Sequence, residues 1–181
     1  MTFSLVLFDL DGTLLDSDAA LMAPYVALGV RPEDVTFGHV VADECARLGL
    51  AMDDYLDRYD TEAASPYPGA PELVAGLGRW AICSNKVRRA GVAELTRLGW
   101  RPELAWFAED FGGAAKHLGP VLQALGSPPL DEVVFVGDTP HDRRCAADAG
   151  VAFALAAWNP RATSEPGDLV LQHPSDLIES L

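Results

Sequence analysis

Leu5-Val6-Leu7-Phe8-Asp9-Leu10-Asp11-Gly12-Thr13 decides how the rest of the chain is read. Four apolar residues run without alternation into two acids and a glycine. A continuous apolar run is what a parallel strand needs when helices cover both of its faces. Side chains alternate along a strand, so Asp9 and Asp11 share one side of its tip, and Phe8 and Leu10 the other. In open α/β sheets, ligands bind beyond the carboxyl ends of the strands. The acid pair therefore stands where chemistry is expected.

Three similar runs follow, at Trp80–Cys83, Val133–Val136 and Val151–Leu155, with a weaker one over Leu104–Ala108. Helical patterns lie between them. Arg88 to Leu98 places Val92, Leu95 and Leu98 at helical spacing and stops at Gly99. Pro120 to Leu125 ends at Gly126, and Pro140 to Ala149 ends at Gly150. Strands alternating with helices give an α/β fold with a doubly wound, mainly parallel Rossmann-like sheet. Residues 16–69 break the rhythm. They show no convincing strand but three helical stretches, Ala19–Leu28, Val40–Leu48 and Met52–Tyr59, with a further start at Pro32. Ser65-Pro66-Tyr67-Pro68-Gly69 returns the chain to the sheet. The reading is a core of residues 1–15 and 70–181, with a small helical insertion, a cap, over 16–69 after the first strand.

Three of the apolar runs end in polar tips: Asp9 to Thr13, Ser84-Asn85-Lys86, and Gly137-Asp138-Thr139-Pro140-His141-Asp142. These tips should meet. Two carboxylates forced together repel unless a cation intervenes, and Asp138 adds a third. Three clustered carboxylates point to a hard divalent cation with oxygen ligands, most simply Mg2+.

The whole chain of 181 residues carries 13 basic and 27 acidic residues, a net charge of -14. That excludes sequence-independent attraction to nucleic acid and repels anions at long range. Any bound anion must meet local positive charge. Only two of the 13 basic residues are lysines, Lys86 and Lys116. No apolar run approaches the ~20 residues that span a bilayer. The first residues show no secretory signal, and Cys45, Cys83 and Cys145 lack metal-ligand spacing. A cytoplasmic protein with reduced thiols is expected. Nothing in the patterning specifies an oligomer.

The stretch Phe8 to Ser17 closely resembles the first motif of the haloacid-dehalogenase-like phosphohydrolase superfamily. Ile82 to Lys86 is similar to its second motif, and Gly137 to Asp142 to its fourth. Tyr67-Pro68-Gly69 and Ala146 to Gly150 resemble the phosphoglycolate-phosphatase-like branch. Lys116 takes the place of the third-motif lysine, although His117 follows where that branch has proline. The resemblance implies a phosphatase acting through an aspartyl-phosphate. Asp9 would be the nucleophile and Asp11 the general acid, then base. Mg2+ would be held by Asp9, Asp138 and the Asp11 carbonyl. Ser84, Lys116 and the backbone N–H groups of Leu10 and Asn85 would bind the phosphoryl oxygens. Asp142 would orient Lys116 or a metal-bound water. Lys86 reads as a surface cation near the site, with a direct role as the alternative. His141 is expected to lie exposed.

The acid at position 11 favours phosphoryl transfer over dehalogenation, which needs no protonated leaving group. A short cap fits a small phosphomonoester, phosphoglycolate-like or a sugar phosphate. Tyr25, His39 and Tyr55 could face such a substrate, but each is equally well explained by packing. A phosphomutase uses the same acids, and a receiver-like signalling or scaffold protein also uses an aspartyl-phosphate. Receivers lack the Asp-x-Asp-Gly-Thr tip and the insertion.

Overall fold

The computed structural model describes residues 3–37 and 40–178. The chain opens with β1 (Leu5–Phe8), β2 (Leu15–Asp16) and three helices, α1 (Asp18–Ala27), α2 (Val41–Arg47) and α3 (Met52–Leu56). It returns through β3 (Ser65–Pro66) into α4 (Ala70–Gly76), β4 (Trp80–Cys83), α5 (Arg88–Leu98) and β5 (Leu104–Trp106). The last part is α6 (Leu118–Ala124), β6 (Val133–Gly137), α7 (Pro140–Ala149), β7 (Ala152–Ala156), β8 (Leu169–Leu171) and α8 (Ser175–Ile178).

Six strands form one parallel sheet in the order β5-β4-β1-β6-β7-β8. The order reverses beside β1, because β4 and β5 build outward on one side and β6 to β8 on the other. Such a reversal opens a crevice at the carboxyl ends. The register sets Phe8 beside Ile82 on one side and beside Val136 on the other. The tips carrying Asp9, Ser84 and Asp138 are therefore level to within about a residue.

The alternation along β1 is visible in its packing. Val6, Phe8 and Leu10 join a core with Leu73 and Val74 of α4, Leu95 of α5 and Leu177 of α8. Leu5 and Leu7 face the opposite core, with Val121 and Leu122 of α6 and Ala146 of α7. Both faces are covered, so each strand residue is fully buried. Burial of each large side chain stabilises by about 1.5–3 kcal/mol. Helix α5 differs from its expected face. Val92 is exposed, and the buried side is Ala90, Gly91, Glu94 and Leu95. Glycine at 91 lets Phe107 lie directly on the helix, since an added Cβ would stand 2.1 Å from its ring.

Helices α1 to α3 have a separate small core of Tyr25, Val35, Cys45 and Tyr55. Pro32 opens only a single 3-10 turn, Pro32–Asp34. Three strands were not expected. β2 and β3 pair antiparallel as a two-residue ribbon where the helical insertion leaves and rejoins the sheet. Runs of two residues leave no periodic signal. β8, at the sheet edge, has two of its three residues exposed and is equally faint in sequence. Among the described residues, no helix is long and apolar enough to cross a membrane.

Candidate active site

The first acid tip is folded by its own backbone. The Leu10 carbonyl accepts from the N–H groups of Leu14 and Leu15 at 3.0 and 2.9 Å, and the Leu15 carbonyl accepts from Gly12 at 2.8 Å. Gly12 has a positive φ of 79°, and a Cβ there would lie 2.5 Å from Asp138 Oδ2. Only glycine combines that turn with such a close approach of the neighbouring acid. Two residues beyond β7 brace the turn. Asn159 donates to the Gly12 carbonyl at 3.0 Å and to Asp138 Oδ2 at 2.8 Å, and the Trp158 indole donates to the Thr13 carbonyl at 2.8 Å. Thr13 donates to Asp138 Oδ1 at 3.1 Å.

Asp9, Asp138 and Asp142 are all buried, and one carboxylate oxygen of each lies within 4.8 Å of the others. Lys116 closes the cluster. Its buried ammonium stands 2.9 Å from Asp9 Oδ2 and 2.7 Å from Asp142 Oδ1. Its backbone N–H donates to the Asn85 side chain at 2.7 Å, which joins the second tip to the segment between β5 and α6. Asp142 is fixed from behind by the start of α7. Thr139 donates to Asp142 Oδ2 from its N–H at 3.0 Å and from its hydroxyl at 2.6 Å. Ser84 and Asn85 are buried and line the same cleft as Asp9, Asp11 and Lys116. The Leu10 N–H donates to Asp9 Oδ1 at 2.7 Å.

The electrostatics follow from this crowding. Burial, opposed by Lys116 and reinforced by Asp142, pushes the Asp9 carboxyl up to about 6. Burial, with the charges of Asp9 and Asp142, pushes Asp138 to about 8. Burial also works against Asp142, but Lys116 and Thr139 hold it below the ordinary range. Burial opposes the Lys116 charge in turn, and Asp142 and Asp9 outweigh it. One ammonium thus balances Asp142 and part of Asp9, and leaves Asp138 uncompensated. Buried, all-oxygen donors with excess negative charge fit a hard divalent cation.

Lys86 is not a surface cation. It is buried, with its ammonium 2.7 Å from Asp11 Oδ1, 3.0 Å from Glu94 Oε2 and 2.8 Å from the Tyr59 hydroxyl. His141 is half-buried, its Nε2 3.5 Å from Cys145 Sγ, where exposure was expected. Tyr25 and Tyr55 are buried and line the cleft; His39 falls outside the described residues. That cleft holds about 690 Å3 including its open mouth. The insertion supplies Thr36, Phe37 and Glu44 to its wall, and Arg161 enters from the loop after β7.

Sequence reasoning missed Asn159, Trp158, Glu94 and Tyr59. Asn159 lay within reach of the same strand-tip rule, since it stands just beyond the buried run of β7. Glu94 had a signal too: it lies three residues after Gly91, on the apolar side of α5. Tyr59 had none.

The family model described as haloacid dehalogenase-like hydrolase matches residues 6–156. The chain belongs to that family. An N-acetylmuramic acid 6-phosphate phosphatase of Pseudomonas aeruginosa is 30% identical to this hydrolase, over 100% of this chain and 96% of its own. A phosphoglycolate phosphatase of Aquifex aeolicus is 29% identical, over 96% and 94%. A crystal structure of a protein described as a putative phosphoglycolate phosphatase, from Lactobacillus plantarum, superposes with a TM-score of 0.80. It covers 100% of both chains at 24% identity, and so speaks for the fold. With relatives named as phosphatases over nearly its full length, the haloacid dehalogenase-like hydrolase is a phosphohydrolase.

Proposed function

We propose that this hydrolase is a Mg2+-dependent phosphatase that cleaves a small phosphomonoester through an aspartyl-phosphate on Asp9. The observation that carries the reading is the position of Asp9, between the Lys116 ammonium at 2.9 Å and the buried carboxylates of Asp138 and Asp142. Lys116 favours the ionised form of the Asp9 carboxylate, the form needed for attack in line on phosphorus. In the first half-reaction the Asp9 oxygen–phosphorus bond forms and the bond to the leaving oxygen breaks. Asp11 gives that oxygen a proton. In the second, Asp11 takes a proton from water as the water oxygen bonds phosphorus and the Asp9 ester breaks. Inorganic phosphate leaves and Asp9 is regenerated.

The carboxylates of Asp9 and Asp138, with the Asp11 carbonyl, would hold Mg2+; when bound, it neutralises charge on the phosphoryl oxygens. Ser84, Lys116 and the N–H groups of Leu10 and Asn85 would hydrogen-bond those oxygens. Asp142 holds Lys116 in place from 2.7 Å. Residues 16–69 act as a cap over a core of 1–15 and 70–181, and caps of this kind select the leaving group. The aromatic wall of Tyr25, Phe37 and Tyr55, with the Arg161 cation, suits a small organic phosphate. The substrates named for the relatives are both phosphomonoesters of carboxylic acids, so a phosphoglycolate-like or sugar phosphate is the class we assign. Three free, buried cysteines fit a cytoplasmic setting.

The test is hydrolysis of p-nitrophenyl phosphate in Mg2+ by the parent, Asp9→Asn and Asp11→Asn. The reading expects no measurable turnover for Asp9→Asn, a loss of roughly a hundredfold or more for Asp11→Asn, and silence in chelator. Full activity of Asp9→Asn, or chelator-resistant turnover, overturns it.

A further inference from the structure

The strongest group that this mechanism leaves unused is a buried cluster beside Asp11. Lys86 has three N–H donors, and three partners surround it: Asp11 Oδ1 at 2.7 Å, Tyr59 Oη at 2.8 Å and Glu94 Oε2 at 3.0 Å. The ammonium hydrogen-bonds Asp11 and the Tyr59 hydroxyl and pairs in charge with Glu94, with its side chain 2% exposed. Its ammonium is turned to these partners, so its effect is read through them. Tyr59 completes the ring by donating to Glu94 Oε1 at 2.7 Å. Burial opposes the Lys86 charge, yet Asp11 and Glu94 hold it in the charged form.

These residues come from different parts of the chain. Lys86 follows β4 and Glu94 lies in α5, so both belong to the sheet body. Tyr59 belongs to the helical insertion, just past α3. Its ring sits 4.9 Å under the Lys86 ammonium and stacks on Tyr55 at 6.2 Å, and Tyr55 meets Tyr25 at 4.6 Å. Tyr25 and Tyr55 line the substrate cleft. A continuous set of contacts therefore runs from the cleft wall, through one hydroxyl of the insertion, to the Asp11 carboxylate. A salt bridge kept only for stability would need neither the second acid nor a hydroxyl from the insertion; an apolar trio would pack as well.

We propose that Tyr59, Glu94 and Lys86 are positioning residues that act as a unit. They fix the Asp11 carboxyl for proton transfer only when the insertion is seated on the sheet body. This rests on Asp11 being the general acid. The consequence is selective: protonation matters for a poor leaving group and little for a good one. The experiment measures kcat/KM, which reports the first phosphoryl transfer, on an alkyl phosphomonoester and on 2,4-dinitrophenyl phosphate. The variants are Asp11→Asn, Tyr59→Phe and Glu94→Gln, each checked for an intact fold by its urea midpoint.

Asp11→Asn should lose roughly a hundredfold more on the alkyl ester than on the dinitrophenyl ester. Tyr59→Phe, which keeps the ring and its stacking, should show the same selectivity at roughly tenfold, and Glu94→Gln at least as much. If Asp11→Asn discriminates between the esters and Tyr59→Phe does not, the positioning unit is refuted and the acid role stands. If Asp11→Asn itself shows no discrimination, the acid role fails and the unit falls with it.

Discussion

Asp138→Asn offers the sharpest test of the proposal that this site holds a cation. With chelator present, burial and then the charges of Asp9 and Asp142 raise the Asp138 carboxyl from 3.8 to about 8. A raised carboxyl means that the folded protein keeps a proton that the unfolded chain releases. The Asp138 contribution to stability is therefore fully present near pH 4 and is lost as pH climbs toward 8. At about 1.36 kcal/mol for each tenfold change, the full loss is on the order of 5 kcal/mol, an upper figure that structural relaxation reduces. The amide keeps the shape: its oxygen accepts from Asn159, and its nitrogen donates to the Thr13 hydroxyl, which turns to accept. Urea unfolding followed by tryptophan fluorescence in EDTA should find Asp138→Asn more stable than the parent at pH 8, by about 1–5 kcal/mol on the same linkage. The gap should close toward pH 4.5. Saturating Mg2+ at about a hundred times its Kd should stabilise the parent by about 2.7 kcal/mol and leave the variant nearly unchanged. An equal or lower stability of Asp138→Asn at pH 8 in EDTA would refute the reasoning.

Lys116→Met leaves Asp142 and Asp9 without their shared partner, so unfolding should show a loss of about 3–5 kcal/mol together with loss of phosphatase activity; a variant as stable as the parent would remove Lys116 from the account. Gly12→Ala places a methyl 2.5 Å from Asp138 Oδ2 at a left-handed backbone position. It should lower Mg2+ affinity by at least tenfold, on the order expected for disturbing the support of a metal site, as read by the Mg2+ dependence of the urea midpoint. In the insertion, the Arg47 guanidinium and the Thr36 groups hold Glu44 down to about 2, against burial. Its contribution is present above about pH 4.5 and is lost as pH falls toward 2. Linkage gives about 3 kcal/mol at most, and the half-exposed Arg47 reduces this to about 1. Glu44→Gln should thus be destabilised at pH 7 and converge with the parent near pH 2 in urea titrations.

Much of this was legible because strands buried on both faces are written as unbroken apolar runs that end in polar residues. Those ends marked Asp9, Ser84 and Asp138, and topology brought them level. Lys116 was marked by scarcity, as the only lysine between the second and fourth tips. What stayed hidden depends on partners far apart in the chain. Lys86 reads as a surface charge until Glu94 and Tyr59 are seen to bury and pair it. Asn159 reads as a loop residue until the crossover to β7 sets it against Gly12. The β2–β3 ribbon is only two residues deep on each side, and its pairing comes from the closure of the insertion rather than from any local pattern.

The most direct measurement is rapid acid quench during steady turnover of a phosphomonoester in Mg2+, followed by peptide mass spectrometry. The account predicts one phosphoryl group on the peptide that contains Asp9, absent from Asp9→Asn. A phosphoryl group found on another residue, or one still trapped on the same peptide of Asp9→Asn, would contradict it.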